Sequence, residues 1–277
     1  MKRLILLTVF VMIAAMIATS AWAATVTIQR GTYGTVADAY IRDSEPPGNT
    51  TPDSNSNFGD AVDPTGLRLY ADTGYATVKG QRHMLIRFDL GFIPTGSIIT
   101  SATFGEYYRP SGASPNITDL KLSRVQASKS WIEGVGDKSE DADSMAWPGE
   151  PTFMERLHGS VAWQTPGATG AADIDLTTTK YYNLTGASAG FRTVDVTSFV
   201  EGWVNGGWAN TGMLMWGGVD PTNSSTRWYE NVSEDATVAN RPYLTINYTP
   251  IPEPGSLLAL GSGLIAMGGF ALRRRRA

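Results

Sequence analysis

Apolar and polar residues alternate along three stretches of the chain, which predicts strands with one face in a core. The stretches are RHMLIRFDL at 82–90, SIITSATFGEYY at 97–108 and YLTINY at 243–248. In the second stretch, the alternation predicts that the even-numbered residues of 98–104 face the core. In the third, it places Tyr243 on the polar face of the strand and Leu244 on the apolar face.

Shorter stretches rich in β-branched and aromatic residues are further strand candidates. They are residues 25–29, 37–42, 67–71, 119–125, 191–196, 213–217 and 226–230. The stretch MLMWG at 213–217 is apolar on both faces, which predicts a strand in the middle of a sheet. About ten strands joined by turn-rich connections indicate an all-β protein, and we expect a β-sandwich of the jelly-roll type.

One short helix is predicted between the strands. Ser198 and Glu201 have the spacing of a capping box, and the apolar residues that follow fall on one helical face. These apolar residues are Phe199, Val200, Trp203 and Val204. Trp203 is therefore expected in the core. Two regions, 43–66 and 134–190, have little strand signal, and long loops of this kind are usually functional or mobile.

The first 23 residues have the pattern of a secretory signal peptide. A basic segment at 1–3 precedes an apolar segment at 4–17, and Ala21 and Ala23 form a small-x-small cleavage site. We therefore expect the protein to be exported and cleaved after Ala23. An uncleaved N-terminal anchor is the alternative.

The chain ends in an uncharged stretch, 255–272, that is followed by four arginines. Eighteen residues of helix rise about 27 Å, close to the hydrocarbon thickness of a bilayer, so a transmembrane helix is predicted. A positive block after such a helix is expected on the cytoplasmic side. A buried C-terminal helix is the alternative, but it does not explain the basic block. The block consists of Arg273, Arg274, Arg275 and Arg276.

Pro252, Glu253 and Pro254 precede this stretch. The motif, the apolar helix and the basic end, in this order, resemble the PEP-CTERM sorting signal. The resemblance implies a Gram-negative envelope protein that is anchored transiently in the inner membrane and handled by an exosortase-type transpeptidase. Such proteins are released or attached to the cell surface, and many come from bacteria that form biofilms. The chain then divides into a signal peptide (1–23), a β-domain (24–250) and a sorting signal (251–277).

The composition of the β-domain limits its function. There is no cysteine, which excludes disulfides, thiolate metal sites and a cysteine nucleophile. Without the two end segments, 16 of the 22 basic and 25 of the 26 acidic residues remain, which is a net charge near −9. An acidic domain argues against a nucleic-acid partner, because that partner needs a basic face.

An ordered set of short motifs runs through the β-domain. The motifs are ADAYIR (37–42), NFG (57–59), LRLYA (67–71), RHMLIRFDL (82–90), SATFGEYY (101–108), Trp131-x-Glu133, Trp147, DVTSFVEGWVNG (195–206), GMLMWG (212–217), RWYEN (227–231) and RPYLTINY (241–248). In this order they resemble the DNRLRE domain family, which is related to a class of carbohydrate-binding modules. The resemblance covers about residues 36–249 and implies a jelly roll that binds glycans, often acidic ones such as alginate. This chain differs in a longer region between Trp147 and Phe191 and in showing no catalytic module.

Sugar binding needs exposed aromatic rings, on which the C–H faces of pyranoses stack, and polar groups that bind hydroxyls. Any single large aromatic residue is more often buried, but at least one exposed ring is expected in a set of this size. The candidate ligand-binding residues lie in weakly patterned segments or near strand ends: Trp131, Trp147, Trp163, Tyr107, Tyr108, Arg109, Trp228 and Tyr229.

Asp38, Asn57 and Asp60 are candidate calcium ligands, because Ca²⁺ prefers hard oxygen donors. Residues 53–57 alternate such donors but lack the glycine and the terminal glutamate of an EF-hand loop. An ordinary solvated loop with Asx turns is the alternative.

Three functions stay open from the sequence. We favour a non-catalytic polysaccharide-binding protein of the cell surface or extracellular matrix. The second is a structural or adhesive matrix protein that binds other proteins. The third is a polysaccharide lyase or hydrolase, which needs His83 or His158 beside Tyr and Arg, or a pair of carboxylates.

Overall fold

The computed structural model describes residues 22–42, 55–59, 67–72, 82–110, 120–135, 146–182, 184, 188–217 and 225–251. Ala21 with most of the signal peptide, and the sorting residues after Ile251, lie outside these ranges. Within the described ranges, no helix is both long enough and apolar enough to cross a membrane. The tail helix predicted at 255–272 lies outside them.

The described residues form thirteen strands and one α-helix, which confirms an all-β protein. The helix, α1, is Thr197–Val204. The strands are β1 (Ala24–Ile28), β2 (Val36–Arg42), β3 (Leu67–Asp72), β4 (Arg82–Phe88), β5 (Ile98–Pro110), β6 (Leu120–Arg124), β7 (Glu155–Leu157), β8 (Val161–Ala162), β9 (Lys180–Tyr182), β10 (Gly190–Asp195), β11 (Met213–Gly217), β12 (Ser225–Glu230) and β13 (Tyr243–Thr249).

The strands form three sheets with antiparallel pairing. A six-stranded sheet has the order β1-β13-β5-β12-β3, with β10 also paired to β5. A five-stranded sheet has the order β2-β4-β11-β6-β9, and β7 pairs with β8. The MLMWG strand, β11, is the middle strand of the five-stranded sheet, so its predicted central position is confirmed.

The two large sheets pack face to face around a shared core. Side chains alternate between the faces of a strand, so every second residue enters this core. Phe104 and Leu244 come from the six-stranded sheet and Met84 from the five-stranded sheet. Phe199 and Trp203 of α1 join them, which confirms the predicted apolar face of the helix.

A second core covers the opposite face of the five-stranded sheet. Ile41, Leu85 and Leu214 of that sheet contact residues that come mainly from the segment 125–174. The region 134–190, which the sequence predicted to be irregular, therefore contains β7, β8 and β9 and packs on the sheet. Its apolar residues occur singly rather than in periodic runs, so the pattern carried no signal of this packing.

All ten predicted strands occur, with ends displaced by no more than two residues. The predicted facing is wrong at two positions of β5. Ile98 is 59% exposed and Thr100 is also exposed, whereas Ile99 is buried. The pairing of β5 with β13 shifts at this point and leaves Thr100 as an extra residue in β5. A bulge of this kind reverses the alternation on its two sides, which explains why the even-numbered pattern holds only after Thr100.

The start of α1 also differs from the prediction. The helix begins at Thr197, whose backbone N–H donates to the Asp195 carboxylate at 2.9 Å. The hydroxyl of Thr197 donates to the same oxygen. Asp195, rather than the predicted capping box at Ser198, therefore binds the first turn.

Candidate functional site

An aromatic row crosses the outer face of the six-stranded sheet. It consists of Tyr107 on β5, Phe191 on β10 and Tyr243 on β13. The Tyr107 and Phe191 ring centroids are 5.2 Å apart, and those of Phe191 and Tyr243 are 5.0 Å apart. Each ring is partly exposed. Among the described residues, no second core covers this row, in contrast to the outer face of the five-stranded sheet.

Tyr243 lies over a glycine of the neighbouring strand. The register of β13 and β5 places Tyr243 directly opposite Gly105. A Cβ atom on residue 105 would lie 2.3 Å from Cζ of the Tyr243 ring, so only glycine leaves room for the ring at this point. One side of the ring therefore rests on the β5 backbone, and Tyr243 as a whole is partly exposed.

Polar groups surround the aromatic row on the same sheet face. Thr245 and Asn247 follow Tyr243 at every second position of β13, and their side chains hydrogen-bond to Thr27 and Thr25 of β1. At the other end of the row, the Arg109 guanidinium lies 5.9 Å from the Tyr107 ring centroid. Hydroxyl, amide and guanidinium groups beside exposed rings are the combination that sugar binding requires.

Several predicted platform residues do not present a ring to solvent. Trp131 is 2% exposed and donates its Nε1–H to the Thr211 carbonyl at 2.7 Å. Trp163 is 4% exposed and donates to the Thr152 carbonyl at 2.9 Å. Tyr108 is also buried. Their rings fill the two cores, so we remove these three residues from the candidate set.

Trp228 and Tyr229 belong to β12, where their backbones pair with Leu69 and Arg68 of β3. Their side chains lie outside the described part of the structure, and so does Asp60. The predictions for these three residues therefore stay predictions.

Among the predicted tryptophans whose side chains the structure describes, Trp147 is the exposed one, with 68% of its surface open to solvent. It begins a turn that is held by the buried carboxylate of Glu150. This carboxylate accepts the backbone N–H groups of Trp147 and Val135, each at 2.8 Å. The turn is also fixed to the β7–β8 hairpin, because the His158 N–H donates to the Glu150 carbonyl at 2.9 Å. Trp147 is thus an exposed ring on a well-supported turn.

A cluster of three carboxylates includes one predicted calcium ligand. Asp38, Glu133 and Glu234 each place an oxygen within 4.8 Å of the others. The Arg30 guanidinium forms ion pairs with Glu133 and Glu234. Ser233 donates its backbone N–H to Asp38 at 3.0 Å and its hydroxyl to the same carboxylate. One guanidinium thus faces three carboxylates.

Burial and mutual repulsion raise the pKa values of two of these groups. The pKa of Asp38 is raised to about 6, mainly because burial removes water from its carboxylate, although the bonds from Ser233 act in the opposite direction. Burial, followed by the charge of Asp38, raises the pKa of Glu234 to about 8, while Arg30 opposes this shift. The hard oxygen donors of this cluster fit calcium chemically.

Asn57 lies next to this cluster, but its side chain hydrogen-bonds to backbone groups. Its Nδ2 donates to the carbonyl of Glu133 at 3.2 Å and to that of Pro151 at 3.0 Å. Its Oδ1 accepts the N–H of Gly59 at 3.0 Å. Asn57 therefore contacts the backbone of Glu133, a member of the cluster, and its amide holds loops together. Glu133 and Glu234, which the sequence analysis did not select, take its place as oxygen donors.

The two histidines occupy different environments. His83 is buried, and its Nδ1 lies 2.6 Å from the Gly167 carbonyl oxygen. Burial lowers its pKa to about 4. His158 lies at the β7–β8 hairpin, with its Nδ1 2.8 Å from an oxygen of Glu155. Among the described residues, no hydrogen bond or ring contact joins either imidazole to a tyrosine or arginine side chain, whereas a lyase would need such a pairing.

A pocket of about 580 Å³ lies where the end of β4 meets the end of α1. Arg87, Asp89, Trp203 and Asn210 are among its lining residues. No sequence pattern indicates this pocket, because Arg87 only continues the alternation of a strand and Trp203 fits the apolar face of a helix. The aromatic row is different, since the alternation in YLTINY had already placed Tyr243 on the polar face.

Comparison with known proteins identifies the tail. Residues 250–276 match the family model of the PEP-CTERM protein-sorting motif. The tail is a PEP-CTERM sorting signal. This confirms the prediction made from Pro252, Glu253, Pro254 and the block Arg273–Arg276. No curated protein matches the chain.

The PEP-CTERM signal implies export and sorting to the envelope in Gram-negative bacteria. It also implies recognition by an exosortase-type processing enzyme. The match covers the tail only, so the resemblance of the β-domain to DNRLRE domains stays a prediction.

Proposed function

We propose that this PEP-CTERM protein binds polysaccharide, without catalysing a reaction, at the cell surface or in the extracellular matrix. The observation that carries the proposal is the ring of Tyr243 over Gly105, at one end of an open aromatic row. The exposed side of the ring stacks on the C–H face of a pyranose. Thr245, Asn247 and Arg109 bind hydroxyl or carboxylate groups of neighbouring sugar units.

The domain that presents this surface, residues 24–250, is a jelly roll of the DNRLRE kind. Two antiparallel sheets with a shared core support this part of the proposal. One sheet is covered on its outer face by the segment 125–174, whereas the other bears the aromatic row. An extended polymer lies across the open sheet, with successive sugar units on Tyr243, Phe191 and Tyr107. The C-terminal helix anchors the protein in the inner membrane until the processing enzyme acts.

The sequence analysis predicted calcium at Asp38, Asn57 and Asp60, and calcium binding stays a prediction. Asp38, Glu133 and Glu234 are the residues that would hold the ion, with Asp60 as a further candidate. An ion there would bridge β2 to the segments that carry Glu133 and Glu234, and so would act on stability. Arg30 already supplies positive charge to this cluster. The melting temperature with and without calcium therefore decides between a bound ion and the ion-pair network alone.

A second function is favoured by a different surface. Ile132, Val135 and Trp147 are 52%, 64% and 68% exposed, and the last two are held by the same Glu150 carboxylate. Exposed apolar side chains in one place are typical of protein–protein contacts. A matrix protein that binds other proteins would use this surface rather than the aromatic row.

The experiment is native-gel retardation of residues 24–250 in gels that contain a panel of neutral and acidic polysaccharides. We expect retardation by at least one class, and we expect Tyr243→Ala to abolish it. The matched control is Tyr181→Ala, because Tyr181 is 63% exposed and lies on β9 of the other sheet. Equal retardation of the wild type and Tyr243→Ala removes the aromatic row from the site. Retardation by no polysaccharide favours the protein-binding function.

A further inference from the structure

Both ends of the β-domain meet at one end of the six-stranded sheet. β1 begins at Ala24, which lies directly opposite Tyr248 of β13, and β13 ends one residue later at Thr249. β5 also begins there, because Ile98 lies opposite Thr249. The predicted signal peptide therefore precedes, and the sorting signal follows, strands that meet at this end of the sheet, which we call the terminal end.

Two exposed isoleucines lie at the terminal end. Ile98 is 59% exposed and Ile251 is 51% exposed. Ile251 follows Thr249, the partner of Ile98, by two residues, and diagonal neighbours of this kind lie about 7–8 Å apart. Its Cδ1 is 3.7 Å from the position that a Cβ atom on Gly96 would take. Gly96 precedes Ile98 by two residues, so the two isoleucines form one apolar surface, which we call the isoleucine patch.

The chain segments that form the terminal end have no charged side chains. Residues 24–27, 94–101 and 247–251 contain no acidic or basic residue, although the β-domain as a whole is acidic. Polar side chains here are already hydrogen-bonded across the strands, since Thr25 bonds to the Asn247 side chain and Thr100 donates to the Asn247 carbonyl at 2.9 Å. Moving the terminal end out of water therefore removes no charged side chain from its hydration, and burial of an unpaired charge is what makes such a transfer costly.

The chain that follows the patch indicates which surface covers it. Residues 252–254 alone separate Ile251 from the uncharged stretch 255–272. Three residues span at most about 11 Å, so a tail helix that is inserted in a bilayer keeps Ile251 at the bilayer surface. Apolar side chains bind there by entering the boundary of headgroups and acyl chains, about 5–10 Å deep. The occupant that fits the isoleucine patch is therefore a lipid bilayer.

We propose that the isoleucine patch is a membrane-contact surface, through which the terminal end of the domain rests on the bilayer while the tail is in place. The inference rests on the proposed anchoring by the C-terminal helix and is independent of polysaccharide binding. Tyr243 precedes Thr249 by six residues of β13, which is about 20 Å along the strand. The contact therefore holds the aromatic row above the lipid headgroups, where an extended polymer can reach it.

The test uses the full chain, produced without an exosortase-type enzyme so that the tail is kept, and reconstituted in phosphatidylcholine vesicles. Because the chain has no cysteine, one introduced cysteine carries a nitroxide label at a single chosen position. Thr95→Cys is the reporter, since Thr95 is exposed and adjoins Gly96. Electron paramagnetic resonance compares collisions of the label with oxygen, which concentrates in lipid, and with a water-soluble nickel complex. We expect the label at position 95 to lose its collisions with the nickel complex.

The matched control is Thr193→Cys. Thr193 is exposed and lies opposite Gly105 in the same sheet, level with the aromatic row. We expect the label at this position to collide freely with the nickel complex. Protection of both labels would mean that the sheet lies flat on the bilayer, and that result overturns the inference.

A longer tether separates contact from mere proximity. About ten glycine and serine residues inserted after Ile251 span about 17 Å on average, which lets the domain move away from the bilayer. With both isoleucines in place, we expect the label at position 95 to stay protected. Ile98→Ser together with Ile251→Ser should release it into water, whereas Ile132→Ser, which replaces another exposed isoleucine, should not. Release of the label while both isoleucines are present overturns the inference.

Flotation with the vesicles and gel retardation distinguish failure of the patch from failure of the proposed function. A chain that floats with the vesicles but leaves the label at position 95 in contact with the nickel complex overturns the patch and leaves the proposed anchoring intact. A chain that does not float overturns the anchoring and the patch together. Polysaccharide binding is measured separately by gel retardation, so its absence rejects that function without removing the isoleucine patch.

Discussion

The ring of Tyr243 occupies the space above Gly105 that any other residue would fill with a side chain. The two residues face each other across β13 and β5, so the glycine on one strand determines the position of the aromatic ring on the next. The Phe191 ring contacts the same tyrosine from β10, and the Tyr107 ring follows it. Because residue 105 has no Cβ atom, the Tyr243 ring can lie against β5 and contact Phe191 in the aromatic row.

Gly105→Ala is expected to abolish polysaccharide binding with little loss of stability. The new Cβ would lie 2.3 Å from Cζ of Tyr243 and would force the ring off the sheet. Because the displaced group is the far end of a surface side chain, we expect the free energy of unfolding to change by less than about 1 kcal/mol. Gel retardation and urea unfolding measure the two effects. Gly207→Ala is the control, since no atom lies within 4 Å of its Cβ position. Full binding by Gly105→Ala would contradict this role of Tyr243.

Glu150→Ala is expected to destabilise the turn that carries Trp147. The variant leaves the backbone N–H groups of Trp147 and Val135 without their shared acceptor. A hydrogen bond to a charged acceptor contributes about 1.5–3 kcal/mol, so urea unfolding should show a loss of about 2 kcal/mol or more. Glu201→Ala is the control, because Glu201 is exposed on α1. A Glu150→Ala variant as stable as this control would show that the carboxylate does not support the turn.

Trp147→Ala tests whether Trp147 belongs to the polysaccharide site. If the protein binds polysaccharide through the aromatic row alone, this variant keeps full retardation by polysaccharide. If Trp147 also stacks on sugar, as the sequence analysis predicts, retardation weakens while the melting temperature stays unchanged. We expect a weakened but measurable retardation, because Trp147 is exposed and lies outside both cores. Unchanged retardation removes Trp147 from the polysaccharide site.

The buried His83 is expected to make the protein less stable at acidic pH. Its pKa is about 4 in the folded protein, against 6.5 for an unperturbed histidine, because burial disfavours the charged ring. Below about pH 6.5 the unfolded chain therefore binds a proton that the folded protein does not, and stability falls as the pH drops towards 4. A shift of this size corresponds to a loss of about 3 kcal/mol.

Urea unfolding of the wild type and of His83→Asn, at pH 7 and pH 4.5, measures this effect. Asparagine keeps a donor near the position of Nδ1, so the bond to the Gly167 carbonyl can be retained. The stability difference between the two proteins should shrink as the pH falls, because only the wild type loses the histidine contribution. A difference that is the same at both pH values would contradict the assignment.

Calcium, if it binds the carboxylate cluster, must raise the thermal stability of residues 24–250. At a free concentration 100 times the dissociation constant, a bound ion stabilises the folded state by about 2.7 kcal/mol. We expect EDTA to lower the melting temperature, and excess calcium to restore it. Asp38→Asn keeps one oxygen that can accept from Ser233, its amide NH2 can donate to the Ser233 hydroxyl, and the variant should no longer respond. An unchanged transition of the wild type in EDTA shows that Arg30 alone balances the cluster.

The sequence predicted local structure well because the strands follow a period of two. The polar position of Tyr243 was visible in the same way, since its neighbours Leu244 and Ile246 alternate with it. The bulge at Thr100 was not visible, because it depends on the register with β13, which no local pattern records. Local periodicity therefore predicts the elements and their faces, but not the points where pairing shifts.

The candidate sites depend on contacts between distant parts of the chain. Asp38, Glu133 and Glu234 come together only because β2 lies beside the segments that hold the other two. Trp131 and Trp147 looked alike in sequence, yet one fills the second core and the other is exposed. The difference follows from how the segment 125–174 packs on the five-stranded sheet. Burial of a single residue in such a segment is a property of the whole fold.

The last strand, β13, sits between β1 and β5 in the six-stranded sheet. Its final residue, Thr249, is therefore fixed within the domain, and only residues 250–254 separate it from the apolar stretch of the tail. Five residues span at most about 18 Å, whatever conformation they adopt. While the tail is in place, a short linker thus joins it to the domain. If the tail is anchored in the inner membrane as proposed, a processing enzyme that cuts near residue 253 would have to work between the folded domain and the bilayer surface.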